Sequence, residues 1–428
     1  MKKASKVFVL IFLTLVISLA ACSSDSNSNG SDDENAGEVT TIYMAALEND
    51  PNGIIEKSRQ EFNEAHDDIQ VEFIKLSNNA SEAHDQMVTQ LAGGSKNLDI
   101  VNLDIVWIAE FAEAGWLLPL DDLFTEEMQS EFINRQVEAM RYNDHIWAVP
   151  WLNDVHPLWY RTDLLEKYDL DVPETYEEAV EVAKMIQEEE GIPHGFTMHW
   201  GRAEQLIVSF SEFLHANNGR FFDEEGNVTI NEPEAVEALQ FMVDMIYEHE
   251  VVAQSALGNS VPDDPRIPFT EGQALFNSNW GYVYALNQAD DSAVKDKTWL
   301  ADNPKFEGGN HANSLGGWNY GIANSSEHPK EAWEVIKWFT SYDIQKQSTL
   351  NGQIATRKDV LEDADVIEQY PFVEEYVKTA ENAVARPIHP RYNKLSDLTQ
   401  SKVHAALTKE MTPQEALDEL ASELESLD

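Results

Sequence analysis

A single cysteine, Cys22, occurs in 428 residues. One thiol cannot build a disulfide framework or a zinc site made of several thiolates. Positive charge is also scarce: 29 lysines and arginines face 77 aspartates and glutamates, for a formal net charge of −48. Such a surface repels phosphate backbones and anionic headgroups, which argues against nucleic-acid binding. The chain has no G-x-x-x-x-G-K-[ST] phosphate loop, no G-x-G-x-x-G opening a helix after a strand, no H-E-x-x-H and no G-x-S-x-G elbow. His194 and His199 lie five apart beside Gly195, whereas a helical ligand pair needs spacing of three or four. They read as ordinary loop histidines, so no metal and no cofactor is expected.

The N-terminus carries an address. Lys2, Lys3 and Lys6 precede Val7–Ala21, an uncharged apolar stretch shorter than the about 20 residues a membrane span requires. The small residues Ala20 and Ala21 come just before Cys22. Residues 1–21 therefore read as a signal peptide, and Leu19-Ala20-Ala21-Cys22 resembles the lipobox of bacterial lipoproteins. That resemblance implies that Cys22 becomes the lipidated first residue of the mature chain. Residues 22–38 are rich in Ser, Asp, Asn, Gly and Glu, and they bury too little to be more than a tether. The expected location is extracytoplasmic, on the outer face of the cell membrane.

The folded body begins near Val39 and is about 390 residues long, more than one core normally serves, so two lobes are expected. An apolar content of 43% is ample for both. Val39–Met44, Val71–Leu76 and Ile100–Leu103 read as strands separated by helices, the second of which stops at Gly93-Gly94. This order points to an α/β fold with open, mostly parallel sheets flanked by helices. Thr175–Glu178 and Thr412–Glu415 are capping boxes, and Pro329–Ser341 is a helix that carries Trp333 and Trp338. The acids are spread along the whole chain, as in Glu188–Glu190 and Glu374-Glu375, and describe a solvated coat better than a ligand face.

Chemistry concentrates where aromatics meet acids in loop-like segments. Asp104 follows a strand and precedes Trp107; Trp147, Trp151 and Trp159 surround Asn153-Asp154; Trp280 lies in Asn277–Tyr282, and Trp318 follows Gly316-Gly317. In open α/β sheets, ligands bind beyond the carboxyl ends of strands. Sugars suit such a mixture, because their C–H faces stack on rings while their hydroxyls donate to carboxylates and accept from arginine and amides. Taken singly, most tryptophans are core residues, and Trp333 and Trp338 fit that description. Trp280 and Trp318 have small polar neighbours and are the better site candidates.

These residues fall within strings that resemble a known family. Leu98–Phe111, Ala114–Leu117, Trp159-Tyr160-Arg161, Glu237–Met242, Asn279-Trp280, Leu315–Trp318 and Asn382–Pro387 look like the extracellular solute-binding proteins of sugar ABC transporters, within them the trehalose/maltose-binding branch. The resemblance implies a type II periplasmic-binding-protein-like fold with several hinge crossings. It divides the chain into an N-terminal lobe of 39–152 plus 312–342 and a C-terminal lobe of 153–311 plus 343–428. Carried over, Asp104 and Asp154 would accept from sugar hydroxyls, and Trp280 and Tyr282 would stack on a ring. Gly316, Gly317 and Trp318 would line the opposite wall, Arg386 would donate, and Glu48 would be an acidic contact. Leu152 stands where trehalose/maltose binders carry a tyrosine, a departure that bears on which sugar is taken. The implied partners are a di- or oligosaccharide and the permease subunits, with the receptor a monomer.

Two alternatives stand beside this reading. One is a surface glycosidase with Asp104 and Asp154 as acid and base. The other is a receptor for a cationic solute, in which an aromatic cage would hold a quaternary ammonium.

Overall fold

The computed structural model describes residues 39–48, 50, 53–259, 261 and 263–427. The expected signal peptide, lipidated Cys22 and tether lie outside the described residues. Among the described residues, fourteen strands follow in chain order: β1 (Thr40–Leu47), β2 (Ile69–Leu76), β3 (Ile100–Asp104), β4 (Arg141–Tyr142), β5 (His145–Ile146), β6 (Val149–Pro150) and β7 (Asp154–His156). The rest are β8 (Leu158–Arg161), β9 (His194–Thr197), β10 (Ala274–Ser278), β11 (Thr298–Ala301), β12 (Asn313–Gly316), β13 (Trp318–Ile322) and β14 (Ala383–Ala385).

The first sheet has the order β2-β1-β3-β13-β6. Its opening is the expected strand–helix alternation, with β1 parallel to β2 and β3. Helix Ile54–Ala65 buries Ile54, Ile55, Ser58 and Phe62, which are spaced to share one face. The second sheet runs β11-β8-β10-β9, and a third, of three strands, runs β14-β12-β7. The expectation of mostly parallel sheets is corrected, because all three are mixed. β13 returns antiparallel to β3 and β6, β8 is antiparallel to β10 and β11, and β7 is antiparallel to β12. The reason is topological: β8 follows β7 through Pro157 and β13 follows β12 through Gly317, so both enter their sheets directly from the third sheet and not by a helical crossover.

Local signals act as their chemistry requires. Thr175 and Thr412 each close a reciprocal capping box with Glu178 and Glu415. Trp333 is buried, and Trp338 donates its indole N–H to the Ser58 carbonyl at 3.2 Å, so both serve the core. Helix Tyr342–Thr349 and the segment up to Arg357 pack on the first-sheet side, whereas the resemblance placed 343 onward in the C-terminal lobe. Gln345 Nε2 donates to the Trp151 carbonyl (2.8 Å), Thr356 Oγ1 to the Pro150 carbonyl (3.0 Å), and Arg357 pairs with Glu131 (2.7 Å). These contacts satisfy polar groups that burial would otherwise strand.

The third sheet is the junction. β7 passes into β8 of the second sheet through Pro157 alone, and β12 passes into β13 of the first sheet through Gly317 alone. A Cβ on Gly316 would lie 2.6 Å from the Asp154 carbonyl oxygen, and one on Gly317 would lie 2.6 Å from that of Leu152. Only glycine lets the backbones approach this closely.

Candidate functional site

Strand register brings most of the candidates to this junction. Asp104, at the end of β3, pairs with Trp318, and Asp154 pairs with Gly316. The two acids thus flank the Gly316–Trp318 crossover from opposite sides. Trp318 is half-buried, and its ring meets Trp107 edge-on at 5.6 Å, with Trp107 itself buried.

Arg386 follows β14 and is 5% exposed. Its Nη2 donates to Asp104 Oδ1 at 3.0 Å and its Nη1 to Glu204 Oε1 at 2.5 Å. Glu204 opens helix Glu204–Ala216 and also accepts from Tyr392 Oη and, at 2.5 Å, from Ser396 Oγ. Burial raises the Glu204 carboxyl, and the Arg386 guanidinium partly offsets this. The Arg386 charge is held firmly, because Asp104 and Glu204 outweigh the burial that opposes it. Expected as a donor to a ligand, Arg386 spends two nitrogens within the protein, and its buried Nε has no hydrogen-bond partner among the described residues. Asp104 likewise spends Oδ1 twice, on Arg386 and on the Val106 backbone N–H at 3.3 Å.

Asp154 differs from both. Its half-buried carboxyl makes no hydrogen bond among the described residues, and its titration is pushed up to about 7. Burial is the main cause and the Asp104 charge the second, with Arg386 opposing. Near neutrality this side chain can present either an O–H donor or a carboxylate.

The indole of Trp280 lies in the turn after β10, half-buried, with its backbone N–H donating to Asn279 Oδ1 at 3.0 Å. Its ring centroid is 4.4 Å from that of His156, which sits in β7 two residues after Asp154. Tyr282 follows at the start of a short helix, half-buried. Gly316 and Gly317 are buried and serve close backbone packing, with half-buried Trp318 beside them. Glu48 stands apart: it is exposed beyond β1, and its side chain makes no hydrogen bond to the other candidates among the described residues.

Sequence reasoning missed Glu204, His156 and Glu212. A signal was there for the last: Glu212 is the lone acid in the run Leu206–Leu214. His199, weighed as a metal ligand, is buried and bonded to the Ser278 carbonyl at 2.9 Å, and burial lowers it to about 3. Among the described residues, no cluster of three or more histidine, cysteine or carboxylate side chains is placed to hold a metal ion.

Residues 45–346 match the family model described as bacterial extracellular solute-binding protein. The chain belongs to that family. Its members are substrate-binding receptors of ABC transporters and not catalysts, so the protein is a receptor that works outside the cytoplasm and the glycosidase alternative falls. A probable ABC transporter-binding protein of Deinococcus radiodurans is 30% identical over 348 residues, covering 78% of this chain and 81% of the relative. A probable amino-acid ABC transporter periplasmic-binding protein of Sinorhizobium fredii is 26% identical, over 84% of this chain and 82% of that one. Among solved structures, maltose-bound MalE3 of T. maritima superposes with a TM-score of 0.84 at 39% identity, covering 91% of this chain and 100% of that one. The receptor thus has the two-lobed MalE-like architecture, in which mixed sheets and their helices form the lobes.

Proposed function

We propose that this receptor captures a neutral di- or oligosaccharide of the maltose or trehalose type and delivers it to an ABC permease. The observation that carries the reading is the junction itself. Half-buried Trp318 follows the Gly317 crossover, and half-buried Trp280 packs on His156, two residues beyond an Asp154 carboxyl that has no hydrogen-bond partner among the described residues; the buried Arg386 Nε–H likewise has no acceptor among them. Rings for C–H faces, an acceptor and a donor are what a polyol needs. The likeness to a maltose-bound structure supports the choice of sugar. Binding by one lobe followed by closure of the other would complete the polar contacts, and the sugar favours closure only by its difference in contacts with the two forms. The test is a thermal-shift and calorimetry panel of maltose, trehalose, maltotriose and a polyol. Micromolar affinity for one α-glucoside is expected, and no shift with any carbohydrate refutes the reading.

A second reading is favoured by charge: Asp104, Asp154 and Glu204 surround one arginine. A cationic solute would bind more weakly as salt is added, whereas a neutral sugar would be nearly indifferent. We further propose lipid anchoring through Cys22 as the lone cysteine in a lipobox-like string. Cys22→Ser should abolish metabolic palmitate labelling and release the protein from membranes; retained labelling refutes it.

A further inference from the structure

Helix Glu204–Ala216 buries Leu206, Ile207, Phe210, Phe213 and Leu214 completely, yet among them Glu212 is only 1% exposed. An acid in such surroundings is unfavourable unless it is bonded, and a leucine would fill the space. Its Oε1 accepts the Ser314 backbone N–H at 3.0 Å and lies 2.9 Å from His156 Nδ1. Ser314 and His156 are paired residues of β12 and β7, so one oxygen ties both strands to the helix. Ser278 Oγ, at the end of β10, approaches the same Nδ1 at 3.2 Å. The imidazole is therefore held at one edge by two elements, the helix and β10. Its ring then stands 4.4 Å from the indole of Trp280, at an interplanar angle of 59°.

An indole in a polar turn, half-open to solvent, would otherwise sample several rotamers. We infer that Glu212 and His156 are positioning residues that fix the Trp280 ring as the solute-binding platform, an inference that rests on Trp280 serving that role in the proposed function. Burial supports the arrangement: it raises Glu212 well above the carboxylate range and lowers His156 to about 3, with Arg386 adding to the latter. His156 is therefore uncharged at neutral pH, and burial works against a charge on Glu212. An amide can therefore stand in for the Glu212 carboxyl.

The test has two readouts. The first uses protein labelled with 5-fluorotryptophan, in which the Trp280 line is identified by its loss in Trp280→Phe. His156→Asn keeps a donor at the Nδ1 position but removes the ring; Glu212→Leu keeps the volume but removes the oxygens. Both should shift or broaden the Trp280 line in the fluorine spectrum, and Glu212→Gln should restore it. An unchanged Trp280 line in whichever of the two variants folds overturns the inference. The second readout is maltose calorimetry. His156→Asn should weaken binding about tenfold in the wild-type background and less than about twofold beside Trp280→Ala, the coupling expected of residues that act through one another. Equal losses in both backgrounds overturn the positioning role alone. If Trp280→Ala binds maltose as well as wild type, Trp280 is not the platform and the proposed site falls with it.

Discussion

Replacing Asp154 by asparagine should make the protein gain on wild type as the medium turns alkaline. Burial, then the charge of Asp104, moves the Asp154 titration from 3.8 to about 7, against the partial opposition of Arg386. A carboxyl whose folded value lies above its unfolded value holds its proton longer in the native chain. Its contribution to stability is complete below pH 3.8 and is lost as pH climbs through 7. At 1.36 kcal/mol per unit, keeping Asp154 folded costs about 2 kcal/mol at pH 5 and about 4 kcal/mol at pH 8. After a discount for partial contact with solvent, about 2 kcal/mol separates the two conditions. Asparagine has the same shape and does not titrate, so the difference between variant and wild type isolates this one group. Guanidinium unfolding of both proteins at pH 5 and pH 8, read at a common slope, measures it. The variant should gain about 2 kcal/mol on wild type between the two pH values. A gap independent of pH, or one that closes as pH rises, refutes the assignment. In an Asp104→Asn background the gain should shrink, because one of the two charges responsible is gone.

Other perturbations probe the same junction. Arg386→Met leaves Asp104 and Glu204 facing each other without their counter-charge and should cost about 3–5 kcal/mol in chemical denaturation, part of which Glu204→Gln recovers. Undiminished stability of the single variant would count against the ion-pair account. Gly317→Ala should lower stability by about 1–3 kcal/mol, because the new methyl carbon would meet the Leu152 carbonyl oxygen at 2.6 Å and the residue has a φ of 153°. An unchanged melting temperature would refute it.

How much of this was legible in the sequence depends on how far apart in the chain the cause lies. Strands β1 to β3 and the helices between them follow from local apolar spacing, and the capping boxes from residues three apart, so they could be read directly. Asp104 and Trp280 were marked by aromatics and acids in loop-like segments and Arg386 by the likeness to a family, and the structure places Asp104 and Arg386 in contact across 282 positions of chain. No periodicity carries that information. Glu204 meets Arg386 and Tyr392 across 182 and 188 positions, and His156 meets Glu212 across 56. Their burial is created by segments that return late in the chain, so nothing near them marks it. The mixed character of the sheets was missed for the same reason: β13 enters between β3 and β6 from distant sequence.

Gly317, the lone residue between β12 and β13, has a consequence for signalling. The ladders on either side are pinned by cross-strand pairing, so any tilt of one sheet relative to its neighbour has to be taken up in a handful of torsion angles there. Trp318 is the very next residue, and Asp154 lies across the ladder from Gly316. A rotation that reshapes the molecule for its membrane partner would turn these groups, proposed here as contacts to the cargo, by a comparable angle. Recognition and readout would then share one axle, and no relay of intervening side chains would be required.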